Sequence, residues 1–187
     1  MDAKLDEILI TGDVKENQEY VLEQIPELTN LVGFEHKHPH HHLDVWEHTL
    51  EVIKNIKTPD LETRMAGLLH DIGKPFSYQD EEVRHFHGHP RISAQMSESI
   101  LTRLRYSSQF VKDVTYLVRT HDTIIDVEHL DNSYNMILKR LELQYADAKA
   151  HAPTTVVKRI KFLDEISKEL SNKYAQKIKV QQEEEIR

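Results

Sequence analysis

From Asp44 onward, apolar residues recur at helical spacing in one segment after another, and helix-start or helix-stop residues bound several of these segments. Val45, Trp46, Leu50, Ile53 and Ile56 form one stripe, with the acidic Asp44 and Glu47 in its first turn. Leu61, Met65, Leu68, Leu69 and Ile72 form the next. Thr58 and Pro59 read as its N-cap and first helical residue, and Gly73 and Pro75 stop it, so this helix ends at His70-Asp71. His89-Pro90 opens a helix carrying Ile92, Met96, Ile100 and Leu104, and another runs from about Gln109 to His121 with Phe110, Val114, Leu117 and Val118 inward. Ser133 caps a helix whose buried face is Tyr134, Ile137, Leu141, Tyr145 and Ala148; Val156 to Tyr174 forms the last one, and two helices are expected before Gly33. Five glycines and six prolines leave few turns for a many-stranded sheet. The predicted fold is an all-α compact helical bundle. It is interrupted near residues 76–88, where Phe76, Tyr78, Val83, His85 and His87 alternate around Gln79-Asp80-Glu81 and predict a short hairpin or loop.

At 187 residues, one domain with a sizeable core is expected. A helical segment over 1–35 would pack on a core over 36–175, followed by a polar tail over 176–187. Lys and Arg number 24 against 32 Asp and Glu, a net charge of −8, which argues against a basic nucleic-acid coat and against extended nucleic-acid binding. No apolar run approaches the roughly 20 residues of a membrane span, and Met1 to Ile10 mixes Asp2, Lys4, Asp6 and Glu7 among its apolar positions. A cytoplasmic protein without membrane contact is the expectation. With no cysteine, disulfides, thiol nucleophiles and sulfur-ligated metals are excluded together. Any metal must be held by nitrogen and oxygen, and thirteen histidines are available.

Several imidazoles and carboxylates fall on inward faces. His48 shares a face with Val45 and Val52, His121 continues the line of Val114 and Val118, and Asp147 borders its helix's apolar stripe. Burying such groups is costly unless they are paired or bound to metal, so three of them on separate helices point to a common centre. The neighbours His70 and Asp71 would splay apart inside a helix, but at a helix end before Gly73 both can turn toward one ion. Borderline and hard divalent metals accept that mixture of donors.

These residues resemble the HD superfamily of metal-dependent phosphohydrolases: His48, then His70-Asp71 within LLHDIGKP, then Asp147 within YADAKAH. LDVWEHTLEVI, LLHDIGKP, FHGHPRISA and LTRLRYS are similar to the HD domain on the C-terminal side of bacterial tRNA nucleotidyltransferases, a likeness running from about Pro39 to His151. The resemblance implies an HD-domain bundle in which His48, His70, Asp71 and Asp147 bind one divalent ion. His89 and His121 match the positions that hold a second ion, with Asp71 as the bridge. Mn²⁺, Fe²⁺, Co²⁺, Ni²⁺, Mg²⁺ and Zn²⁺ all suit such donors. Two ions roughly 3.5 to 4 Å apart activate water for in-line attack on phosphorus, so Asp71 enters as a catalytic residue. Lys74, Arg91, Arg103 and Arg105 would hold a substrate phosphate, and His41 would stand at the rim. Asp122, beside His121, would shuttle protons or accept a hydrogen bond from a ligand.

Blander readings stand beside these. Lys74 also suits a helix C-terminus as a complementary charge, Arg103 and Arg105 a solvated face, Trp46 the core. The rest of the run His36, His38, His40, His41 and His42 reads as loop, and His85 and His87 as exposed or adventitious ligands. Two functions compete. One is a metal-dependent phosphohydrolase acting on a small phosphorylated substrate, a nucleotide or related phosphoester. The other is a non-catalytic, metal-stabilised module that binds a nucleotide or RNA end. Nucleotidyl transfer is not expected, since it needs a catalytic head with two aspartates two apart and none of the thirteen is so spaced; a P-loop is not expected either, since Gly73-Lys74 lacks a glycine-rich phosphate cradle.

Overall fold

Short polar side chains mark where the helices begin. The structure, a computed structural model, describes residues 2–79 and 81–186; Met1, Asp80 and Arg187, at the chain ends and the tip of the expected hairpin, lie outside the described residues. Asp2 caps α1 (Ala3–Thr11), and α2 (Gln18–Gln24) and a 3₁₀ turn (Pro26–Leu31) follow. Asp44 and Glu47 form a reciprocal capping box at α3 (Val45–Asn55), satisfying backbone donors at both positions. The next cap is Asp60 rather than Thr58. Its carboxylate accepts from the amide and hydroxyl of Thr63 at the start of α4 (Leu61–Leu69), while the Thr58 amide donates to Glu142. Then come α5 (His89–Arg103), α6 (Ser108–Thr120) capped by Ser107, α7 (Tyr134–Lys149) capped by Ser133, and α8 (Pro153–Ile186). The last helix extends well past Tyr174, because its polar second half holds neither glycine nor proline to stop it.

No strand occurs among the described residues. The segment between α4 and α5 holds a 3₁₀ turn (Lys74–Phe76) and one isolated bridge, Gln79 to His85, so the expected interruption is a loop. Arg84 organises it, stacking over Phe34 and Tyr78 and donating to the Glu35 carbonyl. None of the helices among the described residues is long and apolar enough to cross a membrane.

The middle of the bundle is α4, whose residues from Thr63 to Leu69 are all buried and which packs on α1, α3, α5, α6 and α7. A smaller core of Ile125, Val127, Ile137, Leu141, Ala148, Leu163 and Leu170 joins α7 and α8. Just beyond α4 the chain passes unusually close to α5. A Cβ on Gly73 would lie 2.6 Å from the Ser93 backbone nitrogen, so only glycine lets the turn after Asp71 meet the first turns of α5. That approach brings His89 to Asp71.

Candidate metal centre

Three helix ends and two helix faces meet at one point. His70 is the C-cap of α4 and Asp71 sits in the turn behind it; His89 opens α5 after Gly88 (φ 77°), and His121 is the C-cap of α6. His48 projects from the middle of α3, and Asp147 from the last turn of α7. All six are at most 9% exposed. The carbonyl ends of α4 and α6 add negative potential, which favours a cation there.

Asp71 divides its two oxygens between two groups of imidazoles. Oδ2 lies 3.2 Å from His70 Nε2 and 3.6 Å from His48 Nε2, while Oδ1 lies 3.2 Å from His89 Nε2 and 3.7 Å from His121 Nε2. Asp147 Oδ1 completes the first group at 2.9 Å from His48 Nε2 and 3.7 Å from His70 Nε2. His48, His70 and Asp71, and again Asp71, His89 and His121, are close enough to hold a metal ion.

The tautomers show that a cation fits. His70 Nδ1 donates to Gly67 O (2.7 Å), His89 Nδ1 to Phe86 O (2.9 Å) and His121 Nδ1 to Val118 O (2.7 Å). His48 Nδ1 faces Ala150 O at 3.4 Å. With the proton held on Nδ1, each ring in its neutral form turns an Nε2 lone pair inward. Nε2 of His89 and of His121 are 3.2 Å apart, and those of His48 and His70 are 3.4 Å apart. Lone pairs facing one another and carboxylate oxygens inside a buried site repel unless positive charge lies between them. Without an ion, a proton on His70 supplies that positive charge instead. Burial opposes protonation of His70, yet the Asp71 and Asp147 carboxylates raise it to about 10. Burial also opposes ionisation of Asp71 and Asp147, but His70 and Lys74 beside the first, and His48 and His70 beside the second, hold both well below the usual carboxylate range. Burial and the neighbouring His70 push His121 down to about 4.

A cavity of about 330 Å³ opens above this centre. Of the expected substrate-binding residues, Lys74 and His41 line it, as does Asp122. Lys74 Nζ is buried between Asp71 Oδ2 (2.8 Å) and His36 Nε2 (3.0 Å). Three arginines require correction. Arg103 is about 21 Å along α5 from His89 at 1.5 Å per residue and pairs with Glu27 at 3.0 Å. Arg105 is exposed in a left-handed turn past that helix (φ 62°), and Arg91, though near His89, is exposed outside the cavity wall. The cations that do line the cavity, besides Lys74, are Arg84 and Arg159, which the sequence reading did not single out. Arg159 reaches Asp147 Oδ2 at 3.4 Å and His151 Nε2 at 3.2 Å.

His36 and His151 were also missed. His36 is buried rather than in open loop; burial and the nearby Lys74 push it down to about 2, so it stays neutral and accepts from that ammonium. His41 stacks on His36 at 3.8 Å between ring centroids. Position 151 carried a readable signal, being one helical turn past Asp147; position 36 carried none.

An all-α bundle with a buried set of imidazoles and carboxylates able to hold divalent metal defines the class of protein. The model of the HD domain family matches residues 40–169, most of the chain, and the chain belongs to that family. It is 43% identical over 88 residues to the A-adding tRNA nucleotidyltransferase of Deinococcus radiodurans, covering 43% of this chain and 20% of that protein. It is 39% identical over 104 residues to the CC-adding tRNA nucleotidyltransferase of Thermus thermophilus, covering 52% of this chain and 24% of that protein. A multifunctional CCA protein of Nitrosomonas europaea is 34% identical over 97 residues. These matches span about a quarter or less of each relative's length.

Proposed function

We propose that this chain is a divalent-metal-dependent phosphohydrolase acting on a nucleotide or related phosphoester. The observation that carries the reading is Asp71, whose carboxylate turns one oxygen to each of two imidazole groups. That arrangement suits a bridging ligand between two ions, and membership of the HD family supports it. His48, His70 and Asp147 would hold the first ion with Asp71, and His89 and His121 the second. Bound ions of this kind lower the pKa of water from about 15.7 toward 7 and neutralise phosphoryl oxygens.

The chain's own groups do the rest. Lys74, with its ammonium anchored by Asp71 and His36, and Arg159, tethered to Asp147 and His151, hold the phosphoryl oxygens at the cavity wall. As water attacks phosphorus in line with the leaving oxygen, the bond from phosphorus to that oxygen breaks, Asp122 at the mouth takes the proton of the attacking water, and the leaving oxygen takes up a proton from solvent. The products are a phosphate and an alcohol, or a phosphomonoester when the substrate is a diester. The relatives' names describe nucleotide addition to tRNA, a different reaction; what they support is a nucleotide-like substrate.

The test is hydrolysis of phosphomonoesters and phosphodiesters by metal-stripped protein reloaded with Mn²⁺, Fe²⁺, Co²⁺, Ni²⁺, Mg²⁺ or Zn²⁺. Metal-dependent turnover that Asp71→Ala lowers at least about a thousandfold, in line with loss of metal-activated water, is expected. Turnover that survives this change belongs to a contaminant, and absence of turnover with every metal leaves the non-catalytic module.

A further inference from the structure

Beside the cavity over the metal centre lies a second one of about 300 Å³, and the two share His121, Asp122 and Arg159. The proton shuttle and the phosphate clamp of the proposed reaction therefore form the wall between them. The second cavity is of a different character. Ile124, Phe162 and Leu163 line it with apolar surface, Gln144 adds one amide, and Lys158 and Arg159 add positive charge. Ile124 is 67% exposed and Phe162 42% exposed, so neither is part of the packed core.

Its polar group is fixed in orientation. Gln144 is 8% exposed, and its Nε2 donates to both Thr120 O (3.2 Å) and Thr123 O (2.7 Å). Both amide protons are used, so Oε1 is the atom Gln144 has left to offer, and no hydrogen bond to it occurs among the described residues. The segment that Gln144 grips is also held by Arg140, which donates to Thr123 O (2.8 Å) and Ile124 O (3.2 Å). A preformed apolar slot with one convergent acceptor is how small-molecule sites are built.

We infer that this cavity binds the nucleobase of a nucleotide whose phosphate reaches the metal centre, an inference that rests on the phosphohydrolase reading for the position of the phosphate. Phe162 presents a ring for stacking and Ile124 and Leu163 cover the base. Gln144 Oε1 accepts from a ring or exocyclic N–H, a donor that adenine, guanine, cytosine and uracil all carry. The slot holds one base with part of its sugar, so a single nucleotide is the recognised unit.

The test uses unphosphorylated adenosine, guanosine, cytidine and uridine as probes, with inorganic phosphate as the control, followed by NMR on methyl-labelled protein. At least one nucleoside shifts the Ile124 and Leu163 methyl signals, phosphate alone does not, and Phe162→Ala weakens nucleoside binding at least tenfold with an unchanged melting temperature. If none of the four moves these methyls, or if Phe162→Ala and Ile124→Asp bind as the parent does, the subsite is wrong. Activity provides the second arm. Phe162→Ala raises KM for nucleotide substrates about tenfold and leaves p-nitrophenyl phosphate within twofold; equal effects on both overturn the proposal. Nucleoside binding without turnover of any phosphoester would sink the hydrolase reading alone, and turnover without nucleoside binding would sink the subsite alone.

Discussion

Nε2 of His89 faces Nε2 of His121 at 3.2 Å, while Nδ1 of each ring donates to the carbonyl three residues before it. The two rings come from the start of one helix and the end of another, and their lone pairs converge on Asp71 Oδ1. This relationship predicts the metal stoichiometry. The parent protein should bind two ions per chain by metal analysis after dialysis, His121→Ala should bind one, and Asp71→Ala should weaken both sites by at least about 100-fold, since ligand loss exceeds the 10- to 100-fold effect of losing an outer hydrogen bond. One ion in both the parent and His121→Ala would reduce the His89 and His121 pair to a hydrogen-bonded contact.

Metal removal should cost stability, because the ligands are buried and their lone pairs then face one another without compensation. At an ion concentration 100 times Kd, ligand binding contributes about 2.7 kcal/mol. For a chain of this size that corresponds to a fall of roughly 5–11 °C in Tm on chelation. Calorimetry with and without chelator measures it, and an unchanged Tm would argue against a bound ion in the folded protein.

Gly73→Ala tests the close passage of the chain past α5. Its Cβ would meet backbone at the Ser93 nitrogen, so α5 must shift and take His89 with it. A loss of about 1–3 kcal/mol is expected from overpacking, together with a metal stoichiometry reduced from two toward one. Chemical denaturation and metal analysis on the same sample check both.

Among the cations, geometry separates Arg159 from Arg103. Arg159 lines the cavity and reaches Asp147, whereas Arg103 is held by Glu27 at the far end of α5. Arg159→Ala should raise KM for a phosphoester about 10- to 100-fold, the equivalent of losing a charged hydrogen bond of roughly 1.5–3 kcal/mol, and Arg103→Ala should leave kcat/KM within twofold.

The helix cap Asp60 gives a pH dependence away from the metal centre. Burial raises its carboxyl, but hydrogen bonds from Lys139 and Thr63 outweigh this and hold it below the ordinary value of 3.8. The folded state therefore binds this proton less readily than the unfolded state. Its contribution is complete above the unfolded carboxyl's titration and is lost as pH falls through the lower folded value. Asp60→Asn keeps a capping oxygen but no charge, so its stability deficit against the parent should shrink as pH falls below 3.8. A deficit that stays constant in acid would assign the effect to the cap alone.

Much of the fold was legible because its helices carry apolar stripes between capping residues. The start of α5 at His89-Pro90, the Ser133 cap of α7 and the end of α4 at His70 all agree with their local chemistry. The cap of α4 was misplaced because Thr58, Pro59 and Asp60 are all plausible starters, and only the reach of Asp60 to Thr63 decides among them. The length of α8 was hidden, since periodicity cannot follow a helix that has no buried residue after Leu170. At the centre, His70-Asp71 was readable from its place at a helix stop, while Arg159 and His36 acquire their positions through contacts with residues far along the chain.

By itself the sequence determined the helical class and the kind of donor, because backbone periodicity is local and a chain without cysteine offers a hard or borderline divalent metal only nitrogen and oxygen. Tertiary structure alone brought His48, His70, His89 and His121 within reach of one carboxylate and buried His36 beside them. His36 and His42 are the same residue type six positions apart, yet one is buried against Lys74 and the other is exposed. A ligand set is a matter of distances between atoms on separate helices, and those distances exist only once α3 to α7 have packed around Asp71.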